Sequence, residues 1–216
     1  MKFIDIFDSY SIEEYKKDYK MIEIAISNIS NSVAYLIIQL EYSETQEYKK
    51  LSNDVRFAEK LIYDDMLKSA VLKFYRYYFE LNGSDVMTLA KFKNKILKEI
   101  KSQYKEKLRI SISKTMWRNK NNKIKFDRLI EALEKYRNKY LAHNIPEGVI
   151  DEEIKVEDLV LIHKAALELF SLLKFDDCSG EIYIEELKQF EYNNDVNREY
   201  LNLIDYFRER IKHLMS

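Results

Sequence analysis

The stretch Lys125-Phe126-Asp127-Arg128-Leu129-Ile130-Glu131-Ala132-Leu133-Glu134-Lys135-Tyr136-Arg137-Asn138-Lys139-Tyr140-Leu141-Ala142-His143 decides how this chain is read. At about 100° per residue, Phe126, Leu129, Ile130, Leu133, Tyr136, Tyr140 and Leu141 share one side of a helix that begins near Lys125. Arg137 falls inside that apolar stripe, and His143 lies at its edge, just before Asn144-Ile145-Pro146 ends the helix. A guanidinium keeps its charge, and burying it is costly unless partners satisfy it. On an ideal helix Arg137 and His143 stand about 120° apart, so they meet only if the last turn distorts or a second chain contributes.

Outward from this helix, composition sets the fold class. The chain has 216 residues, 46% of them hydrophobic, enough for one core with or without an appendage. Three glycines and one proline are too few for the turns of a β protein, so the expectation is all-α, a bundle of long antiparallel helices. Residues 1–17 read as an N-terminal arm or short helix, 18–175 as the bundle, and 176–216 as a C-terminal helical extension packed on it.

Apolar spacings of three and four predict a helix from about Asp18 to Glu41 and a second from about Thr45 to Leu81, ended by Asn82-Gly83. The second is long enough to require a kink or break. One of its sides carries Leu51, Val55, Ala58, Leu61, Ile62, Leu72 and Phe79, and with them Asp65, Ser69 and Arg76. Polar groups inside an apolar stripe need partners, which places Asp65 to meet Arg137 or Arg76, first as a structural pair between helices and otherwise as a supporting contact at a site. Ser84 or Asp85 is positioned to cap a helix running through Lys91 toward Lys114. A further helix starts near Val156 or Glu157 and presents His163 on its apolar face, read as a core histidine bonded to a neighbour. The last is expected from about Asp195 to Leu214, with His213 solvated near its end.

Charge is unevenly distributed. Residues 1–90 carry a net −4, residues 91–146 +12, and residues 147–216 −9. The middle third suits a polyanion, or its lysines solvate the outer faces of long helices. Trp117 precedes Arg118, Lys120 and Lys123; it reads as a core anchor, with a base-stacking platform as the other option. The single cysteine, Cys178, excludes an intramolecular disulfide and fits a reducing cytoplasm. Its acidic neighbours Asp176 and Asp177 disfavour a thiolate nucleophile. The N-terminus does not read as a signal peptide, and no apolar run approaches 18 residues, so no membrane span is expected. Gly-rich phosphate loops, paired cysteines and His-Glu-x-x-His are absent from the sequence, so no metal or cofactor is expected and Arg137 and His143 remain the main chemical candidates.

Arg137-Asn138-Lys139-Tyr140-Leu141-Ala142-His143 resembles the signature of the HEPN superfamily. Taken with the loop and the Val156 to Leu173 helix that follow, it looks most like the AbiU-type abortive-infection branch. The resemblance is specific over about residues 125–173. It implies a HEPN-type bundle, a homodimer with two motif helices facing across the two-fold axis, and a metal-independent endoribonuclease acting on RNA. By that carry-over His143 is the general base and acid, Arg137 clamps the scissile phosphate, and Asn138 orients, with Tyr140 in support and Arg118, Lys120, Lys123 and Lys139 on the RNA. Some family toxins carry a modifiable tyrosine two residues after the histidine. This chain has Ile145 there, so a neutralising or triggering partner protein would act in another way. The alternative is a non-catalytic dimerisation or RNA-binding module in which Arg137 closes a buried hydrogen-bond network.

Overall fold

A computed structural model describes residues 6–81, 86–117, 123–143 and 154–175, and within the helix over 123–143 the side chains of residues 127–138. Every regular element among the described residues is helical. These are α1 (Ile12–Ser43), α2 (Gln46–Lys50), α3 (Asn53–Phe74), a π-helical turn (Tyr75–Phe79), α4 (Leu89–Glu99), α5 (Ser102–Lys114), α6 (Lys123–His143) and α7 (Val156–Leu172). The all-α expectation therefore holds. α1 packs on α3 and α7, α3 on α6, and the π turn on both α4 and α6.

Short polar side chains set the boundaries. Ser11 caps α1 by accepting from the Glu14 amide, with Glu13 and Glu14 favouring the positive end of the helix dipole. The break expected in the second long helix falls at Leu51-Ser52, where the Ser52 hydroxyl accepts from the Val55 amide and starts α3. A second interruption is the π turn. The basic helix expected to run unbroken toward Lys114 is instead two helices, because Ile100 is extended and pairs with Phe7 in an isolated antiparallel bridge. Its cap is Thr88, whose side chain accepts from the Lys91 amide. Ser84 and Asp85, like the Asn82-Gly83 stop, lie outside the described residues.

Two further expectations are corrected. The boundary at residue 17 does not exist, since α1 runs through it and Ile6, Phe7, Tyr10 and Tyr15 belong to the buried core. The Asp8 amide donates to the Glu99 carbonyl at 2.9 Å and the Lys101 amide to the Ile6 carbonyl at 2.8 Å, so the arm is stitched to the α4–α5 junction. The face assigned to α3 is also reversed. Val55, Leu61 and Ile62 are exposed, as are Phe57, Asp65, Ser69 and Arg76, while Ala70, Val71, Phe74 and Tyr78 are buried. Apolar residues occur all round this helix, so periodicity left two candidate faces, and the one built from Tyr63, Met66, Leu67, Ala70, Val71 and Phe74 packs against the bundle.

α1 contains an 18-residue window of mean hydropathy 1.5, so by length and composition it is apolar enough to cross a membrane. Ser27, Asn28, Asn31 and Ser32 interrupt the run but, being uncharged, lower its mean little. Half of the window is buried inside the bundle. Its Ile22, Ile26, Ile29, Val33 and Leu36 are core residues, each worth about 1.5–3 kcal/mol when fully buried.

Three polar clusters hold this core in register. Tyr15 donates its hydroxyl hydrogen to the Leu173 carbonyl at 3.0 Å and accepts from the Phe175 amide at 2.8 Å, tying the end of α7 to the start of α1. Asp18, almost buried, accepts from Tyr10 and from Lys95, each at 2.7 Å, and Lys95 also pairs with Glu14. Burial opposes the Lys95 charge, but the two carboxylates outweigh it and raise its pKa. The third cluster is centred on His163, 1% exposed. Ser30 gives its only hydroxyl hydrogen to the Ile26 carbonyl at 2.9 Å, so its oxygen accepts from His163 Nε2–H, also at 2.9 Å. Nδ1 is then unprotonated and accepts from the Tyr78 hydroxyl at 2.7 Å. The expectation of a core histidine bonded to a neighbour is met, with one partner on α1 and one on the π turn.

Burial pushes the His163 pKa down to about 3, below the roughly 6.5 of an unfolded histidine. Between those values the unfolded chain binds a proton that the folded chain does not. The stability from neutral His163 is therefore complete above the unfolded pKa and is lost as pH falls toward the folded one. Urea unfolding is expected to show wild type losing about 2 kcal/mol more than His163→Gln between pH 8 and pH 5.

Candidate functional site

Arg137 projects from α6 one turn beyond Leu133, which is fully buried, and next to half-buried Tyr136. The apolar stripe thus lays α6 on the bundle as the spacing requires, and the arginine emerges where the stripe meets the π turn. Its Nη2 donates to Glu80 Oε1 at 2.8 Å, its Nη1 donates to Asn138 Oδ1 at 2.9 Å, and its guanidinium lies 5.4 Å from the centre of the Tyr75 ring. The Arg137 side chain is 35% exposed and that of Glu80 only 14%, so the carboxylate is the inner partner and the cation the outer one. Five N–H groups belong to a guanidinium, and among the described residues three of them have no partner. Burial first, and then the Glu134 carboxylate, raises the Tyr75 pKa, which keeps the phenol neutral under the cation.

The π turn explains why Tyr75 and Glu80 can both reach Arg137. Five residues apart on an α-helix, they would point about 140° away from each other. Here the Glu80 amide donates to the Tyr75 carbonyl at 3.1 Å, an i to i+5 closure that brings the backbones of the two residues together. Thr88, fully buried, donates its hydroxyl hydrogen to the Glu80 carbonyl at 2.9 Å and fixes the turn from the other side.

The expected site residues are only partly brought together. Arg137 and Asn138 adjoin, with Asn138 exposed. His143 is the last residue of α6, and the helix is continuous between it and Arg137, so the two remain about 120° apart around the axis. The side chains of Lys123, Lys139, Tyr140 and His143 lie outside the described ones, and Arg118 and Lys120 outside the described residues altogether, as do Cys178, His213 and the helix expected at Asp195–Leu214. Asp65 is not the partner of Arg137. It faces solvent with its side chain 83% exposed, and the cation beside it is Lys68 at 4.0 Å. Arg76 is exposed and lies 5.8 Å from the centre of the Tyr77 ring. Trp117 is a core anchor: its ring stacks on Phe79 at 5.0 Å and meets Tyr78 edge-on at 6.4 Å.

Part of the basic stretch is paired within the chain, partly in the interior and partly at the surface. Lys95 pairs with Glu14 and Asp18, Lys98 with Glu99, Arg109 with Glu106, and Arg137 with Glu80. Lys107 and Lys114 are exposed on α5 and have no ion-pair partner among the described residues. In addition, no group of three or more His, Cys, Asp or Glu among those residues could hold a metal ion.

Sequence reasoning missed Glu80 and Tyr75. The available signal was Tyr75-Arg76-Tyr77-Tyr78-Phe79-Glu80, an aromatic run closed by an acid just before the Asn82-Gly83 breaker. In strict α-helical register its two ends stand apart. No protein-family model, curated protein or solved structure matches this chain.

The Arg137–Glu80 pair is partly screened, so its contribution is intermediate. Arg137→Ala leaves the mostly buried Glu80 carboxylate without its cation and is expected to cost roughly 1–3 kcal/mol in urea unfolding. Asp65→Ala is expected to stay within about 0.5 kcal/mol, since its exposed contact contributes little.

Proposed function

We propose that this chain is a metal-independent endoribonuclease of phage-defence or toxin type, a HEPN-like protein that works in the cytoplasm as a homodimer. The observation that carries the reading is Arg137 itself. It is a half-exposed guanidinium held from two sides with three N–H groups unused among the described residues, six positions before a histidine that closes the same helix. The chemistry needs little more. A histidine with a pKa near neutrality takes the proton of a ribose 2′-hydroxyl as that oxygen attacks the adjacent phosphorus. The guanidinium binds the non-bridging oxygens and stabilises the charge that grows on them. The 5′-oxygen leaves with a proton, giving a 2′,3′-cyclic phosphate and a 5′-hydroxyl.

In this reading His143 is base and acid, Arg137 the clamp and Asn138 an orienting group. The angular offset of Arg137 and His143 on a continuous helix supports a composite cleft made with a second copy, since one straight helix cannot bring both to one phosphate. Exposed Lys107 and Lys114 suit an RNA backbone passing over α5.

A second reading is favoured by one observation. Glu80 already satisfies part of Arg137 inside the chain, as a non-catalytic dimerisation or RNA-binding module would require.

Cleavage by a folded variant separates the two. Wild type is expected to cut RNA in the presence of EDTA and leave 2′,3′-cyclic phosphate ends, detected by mass spectrometry, while His143→Ala loses cleavage yet unfolds within about 1 kcal/mol of wild type. Equal activity in the two proteins rules out the catalytic reading. Sedimentation of wild type at micromolar concentration is expected to give a dimer; a monomer would remove the composite cleft.

A further inference from the structure

The contacts around Arg137 do more than satisfy a charge. An arginine side chain has four rotatable bonds, and one exposed at the end of a helix samples many orientations. Arg137 does not have that freedom. Its guanidinium lies over Tyr75 and is drawn to Glu80, and both of these belong to the single i to i+5 closure of the π turn. The turn is itself immobilised. Tyr78, at its centre, is fully buried and bonded to His163; the Glu80 carbonyl accepts from the buried hydroxyl of Thr88, and that same hydroxyl caps α4. Carboxylate and ring therefore form a rigid socket whose position is set by the core.

The way the socket holds its arginine is also informative. Glu80 takes one hydrogen from Nη2, and Asn138 one from Nη1, so neither engages the guanidinium in the two-pronged fashion that would use it up. A contact serving stability alone gains from a bidentate pair. Among the described residues this one leaves hydrogens on all three nitrogens.

We propose that Glu80 is the positioning residue of Arg137, fixing the guanidinium on the Tyr75 ring so that its remaining N–H groups are in place when a phosphodiester reaches the transition state. The proposal rests on the ribonuclease reading. Its substance is that preorganisation of the clamp, rather than ground-state attraction for RNA, is what Glu80 provides. A carboxylate close to the phosphate weakens attraction for the polyanion, so its loss is not expected to weaken binding.

The test is single-turnover cleavage of an RNA oligonucleotide at saturating protein. Binding is measured in parallel with the same oligonucleotide carrying 2′-deoxyribose at the cleaved position. Glu80→Ala is expected to cut about 10- to 100-fold more slowly than wild type at saturation while binding the uncleavable analogue at least as tightly, because a clamp displaced by a fraction of its bond length loses the aligned geometry. Glu80→Gln, whose amide oxygen can still accept from Nη2, is expected to recover most of the rate. Glu80→Asp keeps the charge and the fold but is one methylene shorter, and is expected to resemble Glu80→Ala; it decides the question should the alanine variant unfold. Tyr75→Leu, which removes the other half of the socket, should lose rate in the same sense. If Glu80→Ala and Glu80→Asp cut as fast as wild type, the positioning role is overturned and the ribonuclease reading stands. If they lose affinity in proportion to rate, the role is overturned in favour of simple binding. If wild type itself cuts no RNA, or His143→Ala cuts equally well, the underlying reading fails and takes the positioning role with it.

Discussion

The hydrogen bond from Tyr78 to Nδ1 of His163 holds the candidate site in place, although neither residue belongs to it. His163 is locked into one tautomer because Ser30 has already given its hydrogen to a backbone carbonyl. That leaves Nδ1 as a buried acceptor whose neglect would cost about 1–3 kcal/mol. Tyr78 meets the need from the centre of the π turn. One side of the turn therefore answers to the core and the other offers Tyr75 and Glu80 to α6. The packing of α1 against α7 is thereby coupled to the orientation of one arginine.

Local reasoning found what local chemistry controls. The described part of the α6 stripe and the start of α7 at Val156 follow from spacing and from acidic residues in the first turn of α7, and the structure has them where the residues imply; the need for a break in the second long helix was legible too, but not its place before α3. His163 was legible for a similar reason: a histidine on an apolar face has to bond to something. The division of the basic helix into α4 and α5 was not legible, because its cause is Phe7, more than ninety positions away in the chain and joined to it by a single bridge. No window-sized reading contains both partners.

The partner of Arg137 was missed for a different physical reason. Asp65 looked suitable because α3 was assigned the wrong buried face, an ambiguity that arises when apolar side chains surround a helix. Glu80 was not singled out at all; the inserted residue of a π turn shifts the register of everything after it, and that shift leaves no mark in composition. What the sequence did show was the need itself, an arginine in an apolar stripe requiring an anion. Need is a property of one residue, whereas its satisfaction is a property of the fold.

The tie between Tyr15 and the backbone at Leu173 and Phe175 has a consequence for how the chain is made. The two partners are separated by 158 and 160 positions, so on a ribosome adding roughly 5–20 residues per second the first turn of α1 waits on the order of 10–30 s for the segment that will cover it. Throughout that time Tyr15, Phe7 and the apolar side of α1 have nothing from α7 to pack against. The bundle therefore closes last where it began, and a nascent chain halted before α7 emerges offers its most apolar helix to whatever chaperone or surface is nearest.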